Sequence, residues 1–169
     1  VRRVSEVLTQ YQWDLQFDSF PAALGAPPSS EDLNIRCYSS TVPKKTIQSV
    51  EVLIRGHKVK VPGPVDEGGN QITLTFVETA DALIHRFLRD WREVCTETGT
   101  GAHNTVDSVK CNISLFLLNR QNQPVWHYRL IGCYLEDYDH GGELTGDPST
   151  ESMKVSMILS FDYSEDEPV

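Results

Sequence analysis

The sequence predicts a mainly β fold, an antiparallel β-sandwich or barrel with one flanking α-helix over about residues 79–95 and a projecting β-hairpin over about 44–63. Three observations carry this. Apolar and polar residues alternate at period two in several short stretches parted by Pro-, Gly- and Ser-rich segments, as half-buried strands do. One stretch, from Thr79 to Val94, changes to a period near 3.6. A Val-rich stretch with a turn near Gly56 stands isolated between Pro-rich and Gly-rich segments.

Bulk properties bound the function. The 169 residues suit a single domain spanning 1–169, long enough to bury a core. With 39% apolar and 23% charged residues, wholesale disorder is excluded. The net charge of −9 argues against gripping nucleic acid by neutralising its phosphates. No run approaches the roughly 18 to 20 apolar residues of a membrane span, and no signal-peptide core marks secretion.

In chain order, residues 1–10 carry Val4, Val7 and Leu8 among polar neighbours and predict a short helix or an N-terminal arm. Tyr11, Trp13, Leu15 and Phe17 alternate with Gln12, Asp14, Gln16 and Asp18 in a first strand. PAALGAPPSSED reads as a surface loop. Leu33, Ile35 and Cys37 against Asn34 and Arg36 predict a second strand, ended by Pro43. In the hairpin, Val50, Val52, Ile54, Val59 and Val61 supply β-branched residues, Leu53 spreads the apolar content over both faces, and PGPVDEGGN forms the exit loop. An isolated hairpin is barely self-stable and its edges invite another chain, so the stretch reads as an intersubunit arm or as an ordinary sheet hairpin.

Ile72, Leu74 and Phe76 alternate with Gln71, Thr73 and Thr75 in the strand that runs into the helix. There Thr79 is the expected N-cap and Leu83, Ile84, Phe87, Leu88, Trp91 and Val94 form one apolar stripe that covers an opening of the β core. Residues 96–108 read as a polar loop. Val109–Leu118 and Val125–Leu135 pair as a hairpin with Gly132 a candidate bulge. An acidic loop at 136–151 precedes a last strand, 153–163, and 164–169 forms an acidic, frayed tail.

No nucleophile elbow, phosphate loop, zinc-protease or calcium-loop motif is present, which speaks against an enzyme and against a cofactor or metal. His57, His85, His103 and His127 read as solvated or structural. Glu136, Asp137, Asp139, His140 and Glu143 form the one cluster that suits a hard cation, but at no defined spacing, so a solvated acidic surface is the better reading. Cys37, Cys95, Cys111 and Cys133 lack zinc spacing and read as buried free thiols, with disulfides the alternative. The polar strand faces lack aromatic anchors, a property that suits the wall of an aqueous channel better than a receptor.

YQWDLQF, LNIRCYSSTVP, IRGHKVKVPG, TLTFVETADALIHRFLRDW and VSMILSFDY, in this order, resemble the tail tube protein of contractile-tailed bacteriophages. The resemblance runs from about Tyr11 to Tyr163. Its more specific parts are the strand entering a helix that ends in Phe87 and Trp91, and the last strand ending in Asp162 and Tyr163. It implies a structural virion protein, assembled in the host cytoplasm, whose hexameric rings stack into the inner tube of a contractile tail. Implied partners are other copies, the sheath, the tape-measure protein, the baseplate and the tail terminator, with DNA passing through the lumen unbound and no membrane. The hairpin residues would then reach between subunits. The lumen wall would be drawn from Asp14, Gln71, Thr73, Thr75 and Asp162, and any oxidised cysteine pair would link subunits. Tubes of bacterial contractile secretion and toxin-delivery systems share the fold. A different class, a monomeric ligand-binding β-barrel with a pocket lined by Trp13, Trp91, Trp126 and the tyrosines, is the alternative. A metal-dependent hydrolase using His140 ranks below it.

Overall fold

The computed structural model describes residues 5–148 and 151–169. Residues 1–4 of the expected arm lie outside these, and 5–10 form no helix. Among the described residues nine strands and three helices follow: β1 (Trp13–Phe17), α1 (Ser30–Arg36), β2 (Cys37–Ser40), β3 (Thr46–Ile54), β4 (His57–Asp66), β5 (Gln71–Val77), α2 (Leu83–Cys95), α3 (Val106–Val109), β6 (Cys111–Leu118), β7 (Pro124–Asp139), β8 (Lys154–Ser160) and β9 (Tyr163–Pro168).

Seven strands form one antiparallel sheet in the order β1-β6-β7-β8-β5-β2, with β9 also on β7. The sheet folds on itself at β7. The first part of β7 lies between β6 and β9, and its last residues, from Tyr134, pair with β8. The result is a sandwich rather than the closed barrel that the alternation also allowed. Its corner is the expected bulge: between Cys111 and Ile113 the partner advances from Cys133 to Leu130, one residue too many on β7. Gly132 occupies that bulge with φ +70°, and a side chain there would run into the Asp162 carboxylate.

The core lies between the two layers. Leu15, Phe17, Ile113, Leu115 and Leu130 from one layer meet Ile72, Leu74, Phe76, Val155, Met157 and Leu159 from the other. Ile84, Phe87, Leu88 and Trp91 of α2 join the same cluster, so the helix covers the core as its stripe predicted. Trp91 is fully buried and donates from Nε1 to the Val109 carbonyl at 3.1 Å, which satisfies its one polar atom.

Several elements depart from the sequence reading. Residues 30–36 form a helix, not a strand. Ser29 caps it by accepting from the Asp32 N–H, acids sit in its first turn, and Asp32 pairs with Arg36 one turn on. Helix α2 starts at Leu83 rather than Thr79, because Ala82 sits in the left-handed region at φ 53° and ends the preceding turn. The carboxylate of Glu78, not Thr79, accepts from the N–H groups of Ile84 and His85. The polar loop at 96–108 contains α3, and Val109 belongs to it. Strand β7 continues to Asp139, four residues into the expected acidic loop. The tail is not frayed: β9 pairs with β7 from Ile131↔Tyr163 to Trp126↔Pro168.

Candidate assembly surfaces

The hairpin β3–β4 is a sheet of its own and packs substantially on no other element. Arg55 and Gly56, both at positive φ, make the two-residue turn that matches strand twist. The register Val50↔Val61, Val52↔Val59 and Ile54↔His57 places all five expected β-branched residues on one face. Glu51↔Lys60 and Leu53↔Lys58 occupy the other. Leu53 stands opposite, with Ile47 and Val65 beyond the bulge on its side, so the apolar residues are spread over both faces as expected, with the β-branched cluster gathered on one. The strands also run on to Asp66, past a bulge between Ile47 and Ser49, so PGPVD belongs to the arm.

All five β-branched residues remain 40–54% exposed, an apolar stripe that the single chain leaves uncovered. The root of the arm is held at two points. Lys45, just before β3, donates from Nζ to the Ser164 carbonyl at 2.6 Å, and Glu67, just after β4, accepts from the Ser164 N–H at 2.9 Å. Lys45 also lies 3.6 Å from Asp166 and 3.8 Å from Glu67. One residue of β9 thus anchors both ends of the arm.

The expected lumen residues divide. Gln71, Thr73 and Thr75 share the outer face of the β2/β5/β8 layer, facing Ser160, Ile158 and Ser156 across the register. The Thr75 and Ser156 hydroxyls lie 3.3 Å apart, and Gln71 donates to Glu136 at 2.8 Å. Asp14 is not with them. It lies on the outer face of the other layer, opposite Phe116, and accepts from Asn34 at 3.1 Å. Asp162 sits at the bend between β8 and β9, paired with Lys110 at 2.7 Å. Alternation fixes which residues share a strand face but not which strands share a layer, and that separates these two from the rest.

Cys111 and Cys133 are cross-strand partners in the core, where no second chain reaches them. Burial pushes the Cys133 thiol up to about 12 and raises Cys111 as well. Cys37, half-buried, is likewise pushed up to about 12 by burial, partly offset by its hydrogen bond to Ser39, and burial raises Cys95. All four are free thiols, and only Cys37 and Cys95 stay candidates for a link between subunits.

The histidine neighbourhood was missed by sequence spacing. His85 stacks on His140 at 4.4 Å, with Tyr138 edge-on to His140, while the Glu78 carboxylate meets His85 Nδ1. These residues pin the chain after β7 to α2. No group of three or more metal-ligating side chains occurs among the described residues. Trp13 lines an open cleft with Tyr38, Val42, Leu117 and Tyr128, while Trp91 is core, so the three tryptophans do not converge on one pocket.

A family model described as phage tail tube protein matches residues 7–134. The chain belongs to that family. A comparison with curated protein sequences returns no match. Among solved structures, the chain resembles the tube-terminating cap of the anti-feeding prophage, with 12% identity, a TM-score of 0.68, and coverage of 100% of this chain and 96% of that one. It resembles the sheath/tube terminator of an extracellular contractile injection system, with 13% identity, a TM-score of 0.69, and coverage of 98% and 99%. The sheath-tube complex of such a system also matches, with 14% identity, a TM-score of 0.65, and coverage of 98% and 95%. At these identities the likeness is one of fold.

Proposed function

We propose that this tail tube protein is a non-catalytic building block whose copies form hexameric rings that stack into the inner tube of a contractile tail. The observation that carries the reading is the arm: an amphipathic hairpin with its apolar stripe uncovered, rooted on a well-packed body. A lone hairpin of this kind is stabilised by what it docks on, and in a tube that is a neighbouring subunit. Around the tube we place a sheath, at its ends a baseplate and a terminator, and within it a tape-measure protein before ejection. The fold neighbours include sheath, terminator and baseplate assemblies of contractile systems, which supports the first three.

The wall of the channel is the outer face bearing Gln71, Thr73 and Thr75, where hydroxyl and amide groups offer water-like hydrogen bonding and the ammonium of Lys154, at the far end of that face, lies over the Tyr38 ring. DNA would pass it without sticking. The likeness to extracellular injection systems favours a second reading, a delivery tube with a protein cargo, which uses the same assembly. Negative-stain electron microscopy of the purified chain tests the shared core of both. Rings or regular tubes are expected, and dispersed single subunits at every salt and protein concentration would overturn it.

A further inference from the structure

Two of the four cysteines meet across the sheet. Cys111 is the first residue of β6, and its cross-strand partner is Cys133 of β7. Directly opposed residues of an antiparallel pair send their side chains to the same face, and here that face is the core: Cys111 is 3% exposed and Cys133 0%. Opposed Cα atoms in such a ladder stand about 4.5 or 5.5 Å apart according to their hydrogen bonding, and both spacings fall within the roughly 4.4–6.8 Å that a disulfide spans. The other two cysteines have no such partner. Cys37 lies opposite Phe76 and donates to the Thr75 carbonyl at 3.7 Å, and Cys95 ends α2. The place of the pair also matters. It is the last pair of the β6–β7 ladder: Gly132 bulges just before Cys133, and from the next residue, Tyr134, β7 passes to β8. A ladder frays from its ends, so these thiols are uncovered by local opening, without global unfolding.

We propose that Cys111 and Cys133 are a site of oxidative modification, closing a disulfide within one chain when the protein meets a peroxide. The thiolate sulfur of one attacks a peroxide oxygen, the O–O bond breaks, and hydroxide leaves with the electron pair and takes up a proton to become water. The second sulfur then attacks the sulfenic acid so formed; the S–S bond forms, the S–O bond breaks and water leaves. Two thiols lose two electrons and two protons, and hydrogen peroxide is reduced to two waters. Burial pushes the Cys133 thiol up to about 12 and raises Cys111 as well, so thiolate is scarce in the closed fold and the first step waits on opening of the strand end. The reaction is therefore slow, a locking step completed by long residence in oxidising surroundings and not a rapid switch. Once closed, the link ties the strands where β7 leaves β6 and joins the ends of a loop over residues 111–133, which stabilises the fold by restricting the unfolded chain. It needs no second copy, so it stands apart from assembly into a tube.

The test uses the full chain, reduced and then treated with hydrogen peroxide. Trypsin places Cys111 in peptide 111–120 and Cys133 in peptide 130–154. After oxidation, mass spectrometry without reductant should find these two joined, lighter by two hydrogens than their sum, and thiol titration in denaturant should fall from four toward two. The chain should run as a monomer on a non-reducing denaturing gel. Its melting temperature should rise by about 5 to 10 °C, the usual effect of a disulfide that closes a loop of this length. Dithiothreitol should reverse the rise, which separates it from any methionine oxidation. Cys37→Ser/Cys95→Ser should behave as wild type, and this variant decides the matter even if replacing a core cysteine prevents folding. Cys133→Ala should show no peroxide-dependent rise. Peptides 111–120 and 130–154 that stay unlinked, a link from Cys111 to Cys95, or a link that joins two chains would each overturn the proposal. Tube formation is not read in any of these measurements, so a chain that never forms tubes leaves this site standing, and tubes built from a chain that does not close the link leave the tube reading standing.

Discussion

Glu78 shows how much one side chain does at the entry to α2. Its carboxylate accepts from the backbone N–H groups of Thr79, Ile84 and His85 and meets the His85 ring, which itself stacks on His140. Burial pushes the Glu78 carboxyl up, but those hydrogen bonds outweigh it and hold the group below the ordinary carboxylate range. A depressed folded pKa means stability that is full above the unfolded value, about 4.3, and is lost as pH falls through the folded value. Glu78→Gln should therefore cost about 1 kcal/mol at neutral pH, the usual worth of a helix cap. The deficit should shrink as the wild type is acidified below pH of about 4. Urea denaturation of both proteins across that range checks it, and a deficit independent of pH would contradict the role. The sequence did not single out Glu78, because Thr79 is the better cap by residue type. The left-handed turn at Ala82, which moves the helix start by several residues, leaves no mark in the pattern.

At the scale of the element, the arm separates folding from assembly. Val52 and Ile54 lie on its exposed stripe and outside the core, so Val52→Asp or Ile54→Asp should leave melting of the body within about 0.5 kcal/mol of wild type. Tube formation should be lost, since a charge buried at a contact without a partner is costly. Microscopy beside thermal melting distinguishes the two effects; normal tubes from both variants would remove the arm from assembly. The alternating strands β1, β5 and β8, the β6 strand with its end apolar on both sides, and the long helix were all legible in the sequence. The elements that were not have competing local chemistry. Leu33, Ile35 and Cys37 alternate like a strand, yet Ser29, Asp32 and Arg36 cap and charge a helical turn, and Ile35 ends up 80% exposed. β9 has almost no apolar signal, because it is held by main-chain pairing to β7 and by Lys45 and Glu67 rather than by burial.

For the whole molecule, the sandwich brings three of five expected channel residues onto one face, and that grouping makes a further prediction. Thr73→Lys with Thr75→Lys repeats two new charges in every subunit around each ring. Particles should still assemble, and DNA passage should slow, most at low salt, because each lysine near a phosphate can release counterions and hold the strand. Ejection kinetics measured against salt check this, and unchanged rates in low salt would remove the wall from that face. The fold class and helix were legible because burial imposes periodicity. Layer membership was not, since Asp14 and Gln71 follow the same alternation and only the order β1-β6-β7-β8-β5-β2 parts them. That order gives β7 a mechanical meaning. Its 16 residues belong to both layers, bent at Gly132, so a pull applied to one layer reaches the other along covalent backbone instead of across side-chain packing. Prising the layers apart would require stripping β7 from its hydrogen-bonded neighbours, and a subunit built this way carries tension through a continuous strand.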